Sequence, residues 1–277
     1  MLRPSVLVLT ALLAGACAAT PPPARSADEA APATVDPALQ AAIDGAWRSP
    51  ANRARDAYRH PAQTLTFFGL RPTDRVIEIS PGAGWYTEIL APYLRAQGQY
   101  IAASAPPAPG RANPLEALFL ADPAHYDRAE LREYDPKAPQ LGPPGSADLV
   151  LTFRNVHNWV AAGTAPAYFQ AFFEVLRPGG TLGVVDHRAK PGTDLATMKK
   201  SGYLTEALVI QLARDAGFVL DARSEVNANP RDSADHPNGV WTLPPTNRHP
   251  PEQAERYRAI GESDRMTLRF RKPAASP

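Results

Sequence analysis

The chain has a single cysteine in 277 residues. That excludes an internal disulfide framework and argues against a cysteine-based zinc cage. It also lacks charge of one sign: 29 Lys and Arg stand against 28 Asp and Glu. Without such a field, nothing draws the chain to nucleic-acid phosphates or to an anionic membrane surface. No H-E-x-x-H zinc spacing occurs, no G-x-S-x-G nucleophile elbow, and no Tyr-x-x-x-Lys pair. No apolar run approaches the ~20 residues that span a bilayer.

Proline is in excess, with 31 residues where about 5 % of a chain is usual. The prolines gather near the start, around 106–144 and around 230–251, and mark linkers and loops because proline breaks helices and sheet ladders. Hydrophobic residues make up 44 % and charged residues 21 %. These proportions are those of a packed soluble protein. The length suits one large domain or two small ones.

The N-terminus reads as an address. Arg3 precedes the apolar residues 6–16 (VLVLTALLAGA), which are too short for a span and suit a secretory signal. Ala14-Gly15-Ala16-Cys17 follows. Small residues before a cysteine resemble the lipobox of bacterial lipoproteins, with Ala14 where leucine is usual. Lipidation of Cys17 is preferred over plain cleavage after Ala16, because the sole cysteine stands at that place. Residues 1–17 are thus expected to be signal and lipobox. Residues 18–36 form a Pro/Ala-rich tether, and 37–277 the folded domain, exported to the periplasm and touching the membrane only through Cys17.

Helices are expected at 37–44, with Asp36 as N-cap, and at 49–58, where Ser49 precedes Pro50. From residue 75 strands and helices alternate. Strands are expected at 75–80, 99–103, 131–134, 147–153, 181–186, 218–224 and 266–271. Helical spacing marks 85–94, with a kink at Pro92, then 114–121, 165–176 and 205–216. This order predicts an α/β fold with a doubly wound, seven-stranded, mostly parallel sheet. Ligands bind such sheets at the carboxyl ends of the strands. Residues 227–263 are too long for a hairpin loop and are expected to fold over a cleft, anchored by Trp241 and Leu243.

The most informative stretch is Val76–Thr87, VIEISPGAGWYT: a strand, a tight turn with Gly82 and Gly84, then a helix. Glycine lets the backbone approach a ligand closely. With Glu78 inside the strand, the layout resembles the first motif of class I S-adenosylmethionine (SAM)-dependent methyltransferases. Ser80 stands where that motif has its first glycine. Residues 145–158 (GSADLVLTFRNVHN) resemble the fourth-strand motif of those enzymes, and 176–187 (LRPGGTLGVVDH) their helix-to-fifth-strand junction. The wording PGAGWYTEIL, FRNVHNW and DHRA is similar to that of a group of largely uncharacterised, exported bacterial methyltransferases.

The resemblance implies a Rossmann-like methyltransferase fold with SAM as cofactor. SAM would lie against Glu78, Ser80, Pro81, Gly82, Gly84, Tyr86 and Thr87. Ser104 takes the place of the usual acid at the end of the second strand. Asp135 either contacts adenine or is a turn residue before Pro136. Arg154 and Asn155 leave the fourth strand beside the cofactor. His157 is either a general base or a hydrogen-bonded structural histidine beside Trp159. His187 is a second candidate base, with Asp186 as its orienter. Arg59-His60 either covers the cofactor or caps a helix. The residues 154–159, 186–188 and 227–263 should surround the acceptor.

No metal is expected. The acceptor should be a small molecule, because the Asn/Asp-Pro-Pro-aromatic signature of nucleobase and amide methylation is missing. The competing reading is an exported, non-catalytic ligand-binding protein on the same fold.

Cys17 gives a direct test of the address. The native protein should fractionate with membranes, and Cys17→Ser should move to the soluble periplasmic fraction. Equal solubility of both would remove the anchor and leave export standing.

Overall fold

The computed structural model describes residues 34–274. The expected signal, Cys17 and most of the tether lie outside the described residues. Within them, seven strands form one sheet: β1 Arg75–Ile79, β2 Gln99–Ser104, β3 Glu130–Glu133, β4 Ala147–Phe153, β5 Leu176–His187, β6 Val219–Ser224 and β7 Arg265–Arg271. Their order is β3-β2-β1-β4-β5-β7-β6. β7 runs antiparallel to both β5 and β6, and the other pairs are parallel. This is the doubly wound, mostly parallel sheet that the alternation predicts.

The alternating side chains of β1 sort the two faces of the sheet. Ile77 and Ile79 join a core with Val150, Phe169, Phe172 and Leu268, beneath helices Ala165–Val175 and Glu206–Asp215. Val76 faces the opposite core with Leu90, Leu94, Leu151 and Phe68, beneath helix Thr87–Leu94. Glu78 shares the parity of Val76, so it is carried into this second core, 2 % exposed. The first strand therefore buries a carboxylate just ahead of its own turn.

Local chemistry sets the helix ends. Asp36 accepts from the Ala38 N–H at 2.8 Å and caps helix Pro37–Ile43. The helix expected over 49–58 is instead two short ones, Pro50–Arg53 and Asp56–Arg59. His60 ends the second with φ 41°. A residue before proline is pushed out of the helical region, and Pro61 then opens helix Pro61–Phe67. Pro92 sits inside helix Thr87–Leu94 and cannot donate to the Glu88 carbonyl one turn back. The Trp47 indole N–H donates to that carbonyl at 2.8 Å instead. A second polar tie joins the N-terminal helices to the sheet: the Asn227 amide donates to Thr64 Oγ1 at 3.0 Å and to Thr267 Oγ1 at 2.9 Å.

No helix among the described residues is long and apolar enough to cross a membrane.

Phe68 packs on β5 where Gly183 leaves room. A Cβ at Gly183 would lie 2.8 Å from the Phe68 ring and 2.7 Å from Leu151 Cδ2. Gly183→Ala is therefore expected to destabilise the domain by about 1–3 kcal/mol through overpacking. An unchanged urea midpoint would contradict this packing.

Candidate functional site

The turn after β1 is built from residues with positive φ: Ser80 at 50°, Gly82 at 62° and Gly84 at 88°. Ser80 holds the conformation a glycine would adopt without strain. Its N–H donates to the Ala103 carbonyl at 2.7 Å, and its hydroxyl meets the Tyr134 hydroxyl at 2.8 Å. The two glycines face different ways. Nothing lies within 4 Å of where a Cβ on Gly82 would sit, whereas one on Gly84 would lie 2.9 Å from Leu115. Gly82 thus leaves bare backbone toward open space, and Gly84 permits close packing of helix Pro114–Ala121.

Glu78 lies beneath this turn. The Tyr100 hydroxyl donates to it at 2.6 Å and the Thr87 hydroxyl at 3.2 Å. Burial pushes its carboxyl up, and these two hydrogen bonds offset that only in part, so it titrates at about 7.

A cavity of about 260 Å³ opens at the carboxyl ends of β1 and β4. It is lined by Glu78, Ser80, Pro81, Gly82, Tyr86, Arg154 and Asn155, together with Asn52, Trp85, Phe153 and three further arginines. Asn155 fixes its floor by donating to the Ile79 carbonyl at 2.9 Å. The Tyr86 and Phe153 rings stack with centroids 3.5 Å apart. Arg55, Arg59 and Arg265 form the cationic wall. Glu262 holds these three, at 2.6 Å from Arg55, 3.3 Å from Arg59 and 2.7 Å from Arg265.

Burial alone would raise the Glu262 carboxyl, but Arg265, Arg59 and Arg55 outweigh it and hold it down at about 2. Arg59 is lowered to about 9, by burial first and then by the neighbouring arginines Arg154, Arg55 and Arg265 against the pull of Glu262. It also stacks over Trp85, 4.6 Å from the ring centre.

A second cavity of about 180 Å³ adjoins the first, with Arg154 in the wall of both. His157, Asn158 and His187 line it from the sheet side, and Val240, Trp241, Pro244, Pro245, Thr246, Glu262 and Ser263 from the long insertion. The segment 154–159, read from sequence as a strand-end rim, instead runs into helix Val156–Ala162. This brings His157 back over Asp186. His157 Nδ1 lies 2.9 Å from Asp186 Oδ1, and the His157 N–H donates to Oδ2 at 3.2 Å.

Asp186 therefore orients His157 and not His187 as expected, because side chains alternate along β5 and only the His187 backbone N–H reaches it, at 2.7 Å. His187 Nδ1 lies 2.6 Å from Ser263 Oγ, and its Nε2 lies 3.5 Å from Arg154 Nε. Burial first, then His157, Arg154 and Arg265, hold its pKa well below the usual histidine range. It is therefore neutral, and its Nδ1 shares a hydrogen bond with the Ser263 hydroxyl. His157, Asp186 and His187 have ligating atoms within 4.8 Å of one another. Their hydrogen bonds already occupy Asp186, and Arg154 and Arg265 stand beside them, so the cluster reads as a hydrogen-bonded unit.

Ser104, Asp135, Gly84 and Thr87 line neither cavity. Asp135 Oδ1 accepts from the Lys137 N–H at 2.8 Å, the turn role before Pro136. Ser104 ends β2, and its carbonyl accepts from the Tyr134 N–H at 3.1 Å. The buried Tyr134 ring packs edge-on against Tyr168. Nothing in the sequence singles out Arg55 or Arg265, while Glu262 and Ser263 enter only as part of the insertion 227–263. Arg59 was flagged only by its place before His60-Pro61.

No family model and no curated protein matches the chain. Solved structures match its fold. A SAM-dependent methyltransferase from Aquifex aeolicus is 14 % identical over 81 % of this chain and 94 % of that one, with a TM-score of 0.55. The [4+2]-cyclase SpnF is 16 % identical over 83 % and 84 %, with a TM-score of 0.54. The CurJ carbon methyltransferase is 13 % identical over 85 % and 58 %, with a TM-score of 0.50. The chain has the fold of class I SAM-dependent methyltransferases. At these identities the likeness is one of fold, and a cyclase among the neighbours shows that fold alone does not fix chemistry.

Glu78 offers a test of the site's electrostatics. Its folded pKa of about 7 lies above the ordinary 4.5, so the folded domain keeps a proton that the unfolded chain releases. Stability should fall as pH rises from about 4.5 to about 7, by up to about 3 kcal/mol from this group. Glu78→Gln should flatten that slope relative to the native protein in urea titrations. The same slope in both would show that the fold does not raise the Glu78 pKa.

Proposed function

We propose that the protein is a SAM-dependent methyltransferase acting on a small molecule. The observation that carries this reading is the Gly82 backbone, which lies bare in the turn that lines a cavity at the carboxyl ends of β1 and β4. That opening suits the amino-acid end of SAM, with Glu78, Pro81, Tyr86, Arg154 and Asn155 around it. Bound there, SAM would supply an electrophilic methyl group on a sulfonium centre.

The chain's own part is alignment and proton removal. Asn155 locks the end of β4 to the end of β1 and so fixes the floor of the site. His157 lines the second cavity while Asp186 holds its Nδ1, which leaves Nε2 to take a proton. This is the arrangement of a positioned general base, worth about 10²–10⁴-fold in rate. Trp241, Pro244 and Pro245 close the acceptor side and exclude water from it. The apolar run at 6–16 supports export, so the domain acts outside the cytosol, held by Cys17.

A second reading, a non-catalytic ligand-binding protein, rests on one observation. Ser104 ends β2 where the resemblance puts the acid that holds the ribose, and it brings no carboxylate there, a loss of about 1–3 kcal/mol of binding.

Calorimetry with SAM and with S-adenosylhomocysteine separates the two. The native protein should bind both. Gly82→Ala puts a methyl group into the open space and should weaken binding at least tenfold, at a backbone cost of about 1–2 kcal/mol. In a transfer assay His157→Ala should lower turnover about 100-fold and leave SAM affinity unchanged. Absence of SAM binding by the native protein would overturn the methyltransferase reading.

A further inference from the structure

The arginines of the first cavity exceed the acids that face them. Arg55, Arg59, Arg154 and Arg265 line it. Glu262 serves three of them, and Asp186 is committed to His157 and to the His187 backbone. Glu78, titrating at about 7, carries only part of a charge near neutrality. Among the described residues Arg154 pairs with no carboxylate; its recorded side-chain contact is the neutral His187. Its guanidinium is lowered to about 10, by burial first and then by Arg265, against the pull of Glu262. Arg55 Nη2 is buried with no hydrogen-bond partner. Arg59 and Arg265 are buried and Arg55 and Arg154 half-buried, and guanidinium groups so crowded are costly unless an anion completes them. SAM completes them only in part. Its carboxylate arrives with an ammonium and a sulfonium, so it adds one net positive charge to a site already positive.

Resting on the methyltransferase reading, we infer that the methyl acceptor is a small molecule bearing an oxyanion, a carboxylate or a phosphate monoester, held by Arg154 at the seam of the two cavities. Guanidinium is suited to this because its donors match a carboxylate or phosphate in pairs. Arg154 lines the wall of both cavities. An oxyanion there would sit between the cofactor side and the His157 side, leaving the rest of the acceptor to face His157 and Trp241.

The probes are inorganic phosphate and acetate, titrated calorimetrically at constant ionic strength set with sodium chloride. Phosphate should bind the native protein and raise its affinity for SAM at least fivefold. It should raise that for S-adenosylhomocysteine less, because the latter lacks the sulfonium charge; binding linkage requires the reciprocal effect. Arg154→Gln should weaken phosphate at least tenfold and abolish the enhancement, and Arg154→Lys should restore part of it. Arg55→Gln gives a second variant should Arg154→Gln melt early.

Binding of neither phosphate nor acetate by the native protein, or equal binding by the native protein and both glutamine variants, would overturn the inference; acetate bound without phosphate would assign the site to a carboxylate. Competition between phosphate and SAM would overturn it too, assigning the arginines to the SAM carboxylate. Phosphate bound and lost in Arg154→Gln, with neither nucleoside bound, would leave the anion site standing and remove the methyltransferase reading.

Discussion

The site depends on one buried carboxylate. Glu262, its side chain 4 % exposed, binds Arg55 and Arg59 from the N-terminal helices and Arg265 from the start of β7. Arg265 in turn lies opposite His187 in the β5–β7 ladder. One acid therefore joins the first helices to the far side of the sheet, more than 200 residues away, and sets the cationic wall of the cavity. Removing one partner from such a buried cluster costs about 3–5 kcal/mol, because the remaining charges lose their compensation. The same economy explains why the wall is positive: one carboxylate is shared among three guanidinium groups.

Around that wall the fold divides the chemistry between two chambers. The β1 turn supplies bare backbone at Gly82, and Asn155 ties it to β4. Helix Val156–Ala162 then carries His157 onto Asp186 in the second chamber. Arg154, with φ 63°, is the residue between them. Its left-handed backbone turns the chain sharply at the end of β4, so that Phe153 lines the first chamber and His157 the second. Ser80 performs a similar service with φ 50°. A serine there keeps the shape of the glycine it replaces at a cost of order 1 kcal/mol, offset by its hydrogen bonds to Ala103 and Tyr134.

The sheet was legible because its signals are local. β4 spans the residues its apolar run indicates, Ala147–Phe153, and helix Glu206–Asp215, capped by Thr205, fills the expected 205–216. The strand–turn–helix at Glu78–Thr87 was legible because glycine and acid stand at fixed spacing. The site's charges were not, since Arg55 and Glu262 meet across 207 positions and no spacing rule joins them. Helix Val156–Ala162 was missed because Asn155, His157 and Asn158 read as a polar strand end, while its buried face, Val156, Trp159 and Val160, is too short to show a period. The partner of Asp186 was misassigned for the same reason: adjacency suggested His187, but a strand turns neighbours apart and the new helix brought His157 in.

A crystal structure with S-adenosylhomocysteine should show the homocysteine end against the Ser80–Gly82 backbone, between Glu78 and Asn155, with the sulfur facing Arg154 and the second chamber. Density in the Trp241 chamber alone, or at a surface away from the β1 turn, would contradict it.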